Sequence, residues 1–198
     1  MNSSEIVRKA KDIAGVKTIY VRKAAGQKMT QANKLKFSSN DPFNAKRTSV
    51  IFGVTEDVAG YDELGLIAAI TGQKFKDLGE VMSKCSDISK NFSNIVPGEI
   101  IFGGDTCGIY VGDNEIVYAN AISGVIKVRV DGWISHGKLE GVDYERIEVG
   151  KEEKEDGERS VLRATADEEK EPVEQPNKAP ERTERHVEVR PDRAGRRH

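Results

Sequence analysis

The sequence has few of the residues on which metal sites and disulfide frameworks depend. Its 198 residues include two cysteines and three histidines. Two cysteines do not make a disulfide framework, and no Cys or His cluster has the spacing of metal ligands. A glycine-rich phosphate loop is also missing, so we expect neither a metal nor a cofactor. No run of eighteen apolar residues is present, so we expect no membrane insertion.

The chain also lacks a large excess of charge of either sign. Its formal net charge is −2 at pH 7, and residues 1–150 carry nineteen acidic and nineteen basic side chains. A nucleic-acid-binding protein normally shows a clear basic excess, so we expect no nucleic-acid partner. The first residues contain no basic region followed by an apolar stretch, which predicts no signal peptide and a cytoplasmic site of synthesis. Later access to a cell wall by another route stays open.

Aromatic residues are missing from residues 151–198. That stretch holds fourteen acidic and twelve basic residues, together with four of the six prolines. It has too little apolar surface to offset the entropy cost of ordering, so we predict a disordered, charged tail. Residues 1–150 then form one domain, which is long enough to bury a hydrophobic core.

What the sequence does contain is a series of helix signals followed by strand signals, which predicts an α+β fold. Helices are predicted over residues 3–14, 30–36, 62–70 and 78–82. Strands of an antiparallel meander are predicted over residues 99–103, 107–111, 115–120, 124–130 and 145–149. Asn2 and Glu5 have the spacing of a capping box, and Asp62 and Gly72 are the expected ends of the third helix. The segment that contains Cys85 is predicted to be a loop.

Several motifs in this pattern are typical of one protein family. Pro97-Gly98 precedes an apolar strand, and Gly108–Asp113 (GIYVGD) is followed by Ile116–Ala119 (IVYA). Upstream, Tyr61–Ile67 (YDELGLI) begins a predicted helix. In this order, over residues 3–148, the motifs resemble an NlpC-type papain-like cell-wall peptidase domain, as found in phage endolysins. The resemblance implies N-terminal helices packed on an antiparallel sheet, with a groove for a peptidoglycan stem peptide.

The three positions that carry chemistry in that family are all changed here. The family has a cysteine nucleophile, a histidine base and a third polar residue, and the matching residues are Glu63, Thr106 and Tyr118. A cysteine peptidase needs a thiolate and a histidine whose tautomer is fixed. Glu63 is a poor nucleophile for an amide, and Thr106 cannot shuttle a proton near neutral pH. We therefore predict a catalytically degenerate domain in which the three side chains form a hydrogen-bonded structural cluster.

The same resemblance implies a ligand groove beside the predicted helix at Asp62. The candidate groove residues are Tyr20, Arg22, Asp62, Glu63, Thr106 and Tyr118. Arg22 and Lys23 occupy positions where the family has glycines, so these cations either fill the groove or favour an acidic ligand. The favoured hypothesis is a binding or structural module, and the expected partner is a peptidoglycan stem peptide or another protein.

Two other functions remain open at this point. The first is an active peptidoglycan hydrolase, an endolysin-type endopeptidase or amidase whose chemistry has moved. It would use Cys85 as nucleophile or Glu63 as a base acting on water. The second is an interaction protein in which the tail from Lys151 onward binds the partner.

The remaining cysteine and histidine of the domain have simpler interpretations. Cys107 follows Thr106 at the start of a strand, so its side chain is expected on the opposite face and buried. His136 lies in Trp133–Tyr144, a segment that also resembles the family. We expect it to be a packed, hydrogen-bonded histidine rather than a displaced base.

Overall fold

The computed structural model describes residues 1–144, and its element order runs from helices to strands. The helices are α1 (Ser3–Ala14), α2 (Gln31–Ser39), α3 (Pro42–Ala45), α4 (Thr48–Phe52), α5 (Glu63–Thr71) and α6 (Leu78–Ser83). The strands are β1 (Thr18–Tyr20), β2 (Ala25–Lys28), β3 (Ala59–Tyr61), β4 (Cys85–Ser89), β5 (Ile100–Phe102), β6 (Cys107–Gly112), β7 (Glu115–Asn120), β8 (Gly124–Arg129) and β9 (Ser135–Leu139). The fold is α+β, as predicted. The predicted strand at 145–149 and the predicted tail at 151–198 lie outside the described residues.

Local capping signals set the ends of the two helices that cover the main sheet. Before α1, the Asn2 Oδ1 atom accepts a hydrogen bond from the Glu5 amide at 2.8 Å. Before α5, the Asp62 Oδ1 atom accepts one from the Gly65 amide at 2.7 Å. Gly72 ends α5 with a φ of 77°, a left-handed conformation that glycine adopts without steric cost. Both helices lie within one residue of their predicted ends.

The main sheet has six strands in the order β4-β9-β5-β6-β7-β8, and all neighbours are antiparallel. Strands β5 to β8 form the predicted meander. Two predictions were wrong: Cys85–Ser89 is a strand rather than a loop, and β9 adds a strand that the prediction omitted. Strand β4 lies at the edge of the sheet, and its middle residues are exposed. It therefore lacks the alternation of apolar and polar residues by which a strand is recognised.

A second, three-stranded sheet has the order β1-β3-β2, in which β1 and β3 are parallel. Thr18 pairs with Ala59 and Tyr20 with Tyr61, about forty residues apart in the sequence. Strands this short have no recognisable apolar pattern, and their partners lie far away in the sequence. This sheet was therefore not predicted. The pairing brings Tyr20 beside the start of α5.

The main hydrophobic core lies between one face of the large sheet and helices α1 and α5. Its fully buried residues include Ile6, Ala10, Leu66, Ile67, Ile70, Cys107, Ile109 and Val117. Cys107 is buried in this core, as expected. A smaller cluster that includes Met29, Ile51 and Val58 packs near the small sheet. Among residues 1–144, no helix combines the length and the apolar character needed to cross a bilayer.

Candidate functional site

The start of α5 is held tightly against the loop between β1 and β2. The Asp62 Oδ2 atom accepts a hydrogen bond from the Lys23 amide at 2.6 Å, and the Asp62 amide donates to the Ala24 carbonyl at 3.0 Å. A Cβ atom added at Gly65 would lie 1.9 Å from the Ala24 carbonyl oxygen. Only glycine therefore allows this close approach. Lys23 has a φ of 66°, a left-handed conformation that is uncommon for residues other than glycine.

Glu63, at the first position of α5, is hydrogen bonded to Tyr20. The Tyr20 hydroxyl donates to the Glu63 carboxylate, with oxygen distances of 2.8 and 3.1 Å. Burial raises the pKa of Glu63, and this effect outweighs the hydrogen bonds that stabilise the charged form. Burial and the hydrogen bond to Glu63 also raise the pKa of Tyr20. The phenol therefore stays protonated near neutral pH and remains the donor to Glu63.

Aromatic rings and arginines form one wall beside this pair. The rings of Tyr20 and Phe43 meet edge to face with centroids 5.7 Å apart. The guanidinium groups of Arg22 and Arg47 lie 4.5 and 5.2 Å from the centre of the Phe43 ring. Asn44 fixes the backbone of Arg22, since its side chain accepts from the Arg22 amide at 3.0 Å and donates to the Arg22 carbonyl at 3.1 Å. Within residues 1–144, the Arg22 side chain forms no ion pair.

These residues line an open cleft of about 730 Å³, which we call the main cleft. Its charged lining residues are Arg22, Lys23, Lys76, Asp41, Asp62, Glu63, Asp77 and Asp105. Its apolar and aromatic lining residues are Tyr20, Phe43, Leu64, Leu78 and Ala121. None of the described residues that line it is a cysteine or a histidine. Arg22 and Lys23 therefore border the cleft without filling it.

Two of the six predicted groove residues, Thr106 and Tyr118, are not among the lining residues of the main cleft. Tyr118 pairs with Gly108, and its ring packs edge to face on Trp133 at 5.4 Å. Its hydroxyl accepts a hydrogen bond from the Asn120 side chain at 2.9 Å. The Thr106 hydroxyl is buried without a partner among the described residues.

The predicted hydrogen-bonded cluster of Glu63, Thr106 and Tyr118 is therefore wrong. The alternation of side chains along β6 and β7 explains why. Ile109 and Val117 face α1 and α5, so Gly108 and Tyr118 face away from those helices. Glu63 is bonded to Tyr20 from the small sheet instead.

No protein-family model matches the sequence, and a search of curated proteins also finds no match. A search of solved structures finds a chain described as NlpC2 from Trichomonas vaginalis, with a TM-score of 0.45 and 15% sequence identity. The match covers 70% of this chain and 46% of that one. This chain thus matches less than half the length of that protein. At this level the similarity assigns neither an activity nor a ligand.

The positions of the two cysteines do not support a relocated nucleophile. The Cys85 thiol donates to the Val81 carbonyl at 3.3 Å, and burial raises the pKa of this thiol to about 12. Burial also raises the pKa of the Cys107 thiol. Both groups therefore stay protonated near neutral pH, whereas the nucleophile of a cysteine peptidase is a thiolate.

His136 is buried and bonded on both ring nitrogens, as expected for a packed histidine. Its Nδ1 atom contacts the Glu99 carboxylate, and its Nε2 atom lies 2.9 Å from the Asn91 carbonyl oxygen. The ring also packs against Phe92, with centroids 5.3 Å apart. Among the described residues, no group of three or more His, Cys, Asp or Glu side chains is arranged to hold a metal ion.

Three residues at or beside the main cleft were not predicted from the sequence. Phe43 and Arg47 belong to the polar stretch between β2 and β3, which showed no functional pattern. Asp105 precedes Thr106 and was not included among the predicted groove residues. One usable signal was present, because Asp41-Pro42 is a typical helix start. Asp41 caps α3 by accepting from the Phe43 and Asn44 amides at 2.9 and 3.2 Å. A short helix at this point would have placed Phe43 one turn from Arg47.

Replacing Glu63 with glutamine should change the free energy of unfolding more favourably at neutral pH than at acidic pH. Because the pKa of Glu63 is higher in the folded protein than its ordinary value of 4.5, the unfolded chain loses its proton first as pH rises. The native protein therefore loses stability as pH rises from 4.5 through that raised pKa. Glutamine does not ionise and still accepts from Tyr20.

Urea denaturation of Glu63→Gln and the native chain at pH 4 and pH 7 measures this effect. We expect the difference in unfolding free energy, variant minus native, to be more positive at pH 7. Asp131→Asn serves as a control, because the Asp131 side chain is 75% exposed and pairs with Arg129 outside the main cleft. A difference that is the same at both pH values would show that Glu63 is not desolvated as described.

Proposed function

We propose that residues 1–144 form an NlpC-type domain that has lost peptidase chemistry and binds a peptide in the main cleft. The observation that supports this most strongly is the Tyr20–Glu63 hydrogen bond at the start of α5. In the family that the sequence resembles, this position carries the nucleophilic cysteine. Here it carries a carboxylate held by a phenol, with no cysteine or histidine among the described lining residues.

The chemistry of the Glu63 position supports binding rather than catalysis. Amide hydrolysis by a cysteine peptidase needs a nucleophile, a base within hydrogen-bonding reach and a group that orients the base. The Glu63 carboxylate is hydrogen bonded to the phenol of Tyr20, and the two oxygens of the preceding Asp62 already accept backbone amides. Neither group can activate Glu63 as a nucleophile, and triad members contribute little when their partners are missing.

The composition of the cleft supports a peptide as the ligand. Its lining combines the aromatic residues Tyr20 and Phe43 with charges of both signs. The Arg22 guanidinium is held over Phe43 and has no carboxylate partner within residues 1–144. It is therefore free to bind a carboxylate of a ligand, in the bidentate geometry that arginine favours. Peptidoglycan stem peptides carry such carboxylates, and so do protein partners.

Replacing Arg22 with alanine should weaken peptide binding. A charge-assisted hydrogen bond is worth about 1.5–3 kcal/mol, which corresponds to a loss of affinity of roughly tenfold or more. The measurement is isothermal titration of the full chain with muropeptides released from a Gram-positive cell wall by a muramidase. We expect the native chain to bind and Arg22→Ala to bind roughly tenfold more weakly.

The matched control is Arg129→Ala, which removes an exposed arginine outside the main cleft. Its affinity for muropeptides should stay within about twofold of the native value, as surface ion pairs contribute little. If the native chain does not bind muropeptides, or if Arg22→Ala binds as well as the native chain, the proposal is wrong for this ligand.

A further inference from the structure

We infer that a side pocket of the main cleft, lined by lysines, binds the carboxylates of an acidic peptide segment. This inference rests on the proposed function and adds a ligand class to it. The pocket, which we call the lysine branch, has a volume of about 370 Å³. The residues that define it are Lys23, Lys74, Lys76, Leu64, Ala68 and Phe75.

The lysine branch adjoins the main cleft. The two spaces share four lining residues, namely Lys23, Asp62, Leu64 and Lys76. A peptide bound beside Tyr20 and Arg22 would therefore lie next to the branch. Lys74, Phe75 and Lys76 lie outside the family-like motifs of the sequence.

The charge of the branch is strongly one-sided. Three lysines line it, and the only acidic residue among its described lining residues is Asp62. Both oxygens of Asp62 accept backbone hydrogen bonds, from the Gly65 and Lys23 amides. Lys23 pairs with Asp41 at 3.6 Å, whereas Lys74 and Lys76 form no ion pair within residues 1–144. Two cations of the branch are thus available to a ligand.

The position of these two lysines is fixed by the residue between them. Phe75 is partly buried and packs against the main hydrophobic core. The Lys76 amide donates to the Glu80 carboxylate at 2.6 Å, which ties the segment to α6. Lys74 and Lys76 therefore flank an anchored residue, and their side chains line the same pocket.

The apolar part of the branch favours a peptide over an inorganic anion. Leu64, Ala68 and Phe75 supply apolar lining in the same pocket as the lysines. The methylene groups of glutamate or aspartate side chains gain free energy by covering such a surface while their carboxylates reach the lysines. A phosphate group has no apolar part and would gain only the electrostatic term.

The test is fluorescence anisotropy of the full chain with two labelled peptides, hexaglutamate and hexaglutamine. We expect hexaglutamate to bind and hexaglutamine to bind at least roughly tenfold more weakly, with an affinity for hexaglutamate that falls as NaCl is raised. The double variant Lys74→Glu and Lys76→Glu should lose roughly tenfold or more in affinity for hexaglutamate. The control is Lys17→Glu with Lys90→Glu, two exposed lysines outside both pockets. It makes the same change in net charge and should stay within about twofold of the native affinity.

Equal affinity of the two double variants for hexaglutamate, or no binding of hexaglutamate to the native chain, would overturn the inference. Tripolyphosphate that competes as well as hexaglutamate would also overturn it, in favour of a general anion site.

Muropeptide titration separates this inference from the proposed function. Suppose that Arg22→Ala weakens muropeptide binding, while the double variant Lys74→Glu and Lys76→Glu binds hexaglutamate and hexaglutamine as the native chain does. The proposed function then stands and the lysine branch does not. If hexaglutamate binds but muropeptides do not, the branch stands and the proposed cell-wall ligand does not.

Discussion

Replacing Gly65 with alanine is expected to destabilise the folded protein by about 3 kcal/mol or more. The new Cβ atom would lie 1.9 Å from the Ala24 carbonyl oxygen and 2.9 Å from the Asp62 Oδ1 atom. The clashing group is backbone, so it cannot turn away as a flexible side chain would. Alanine gains up to about 1 kcal/mol in helix propensity over glycine, and the clash outweighs this gain. Urea denaturation of the full chain measures the difference.

The clash at Gly65 also affects the main cleft. Ala24 can move away only by pulling Lys23 from the Asp62 carboxylate, which holds the β1–β2 loop against α5. The control is Gly104→Ala, where a Cβ atom would meet nothing within 4 Å. We expect that variant to stay within about 0.5 kcal/mol of the native chain. If Gly65→Ala were as stable as Gly104→Ala, the close approach of α5 to the β1–β2 loop would be wrong.

Replacing His136 with alanine is expected to cost about 3–5 kcal/mol. His136 and Glu99 are a buried pair whose side chains are each 3% exposed. Without the imidazole, the Glu99 carboxylate is left in the interior with no partner, which costs far more than a lost surface ion pair. The Asn91 carbonyl would also lose its contact with the Nε2 atom. Urea denaturation again measures the change.

A double variant separates two quantities: the cost of leaving Glu99 unpaired, and the contribution of the Glu99–His136 pair to the free energy of unfolding. Changing both Glu99 and His136 to leucine removes the charge as well as its partner, so most of the lost stability should return. The control is Lys138→Ala, at a residue of β9 that forms an ion pair with Asp87 of the neighbouring strand β4. It should cost less than about 1 kcal/mol. A loss of less than about 1 kcal/mol for His136→Ala would contradict a buried Glu99–His136 pair.

The sequence predicts those parts of the fold that local signals control. Asn2 and Asp62 accept amide hydrogen bonds at the first turn of a helix, and Gly72 stops α5, because each signal acts within four residues. Strands β5 to β8 were predicted because short turns connect apolar runs. Strand β4 was missed because its exposed edge has no periodic pattern.

The candidate site was predicted only in part, because contacts across the fold decide it. Tyr20, Arg22, Asp62 and Glu63 all line the main cleft. Pairing Glu63 with Tyr20 requires β1 to lie beside β3, and these strands are separated by about forty residues. Thr106 was assigned to the groove from motif spacing alone. The spacing of residues along a strand shows which side chains share a face of the sheet. It does not show which of the two faces borders the cleft.

Under the proposed function, the main cleft binds a peptide without cutting it. The direct measurement is mass spectrometry of the muropeptides recovered after incubation with the full chain at neutral pH. We expect every muropeptide to keep its mass, as it does in a control incubation with buffer alone. Shorter products that form with the native chain and disappear with Glu63→Gln or after thiol alkylation would contradict it.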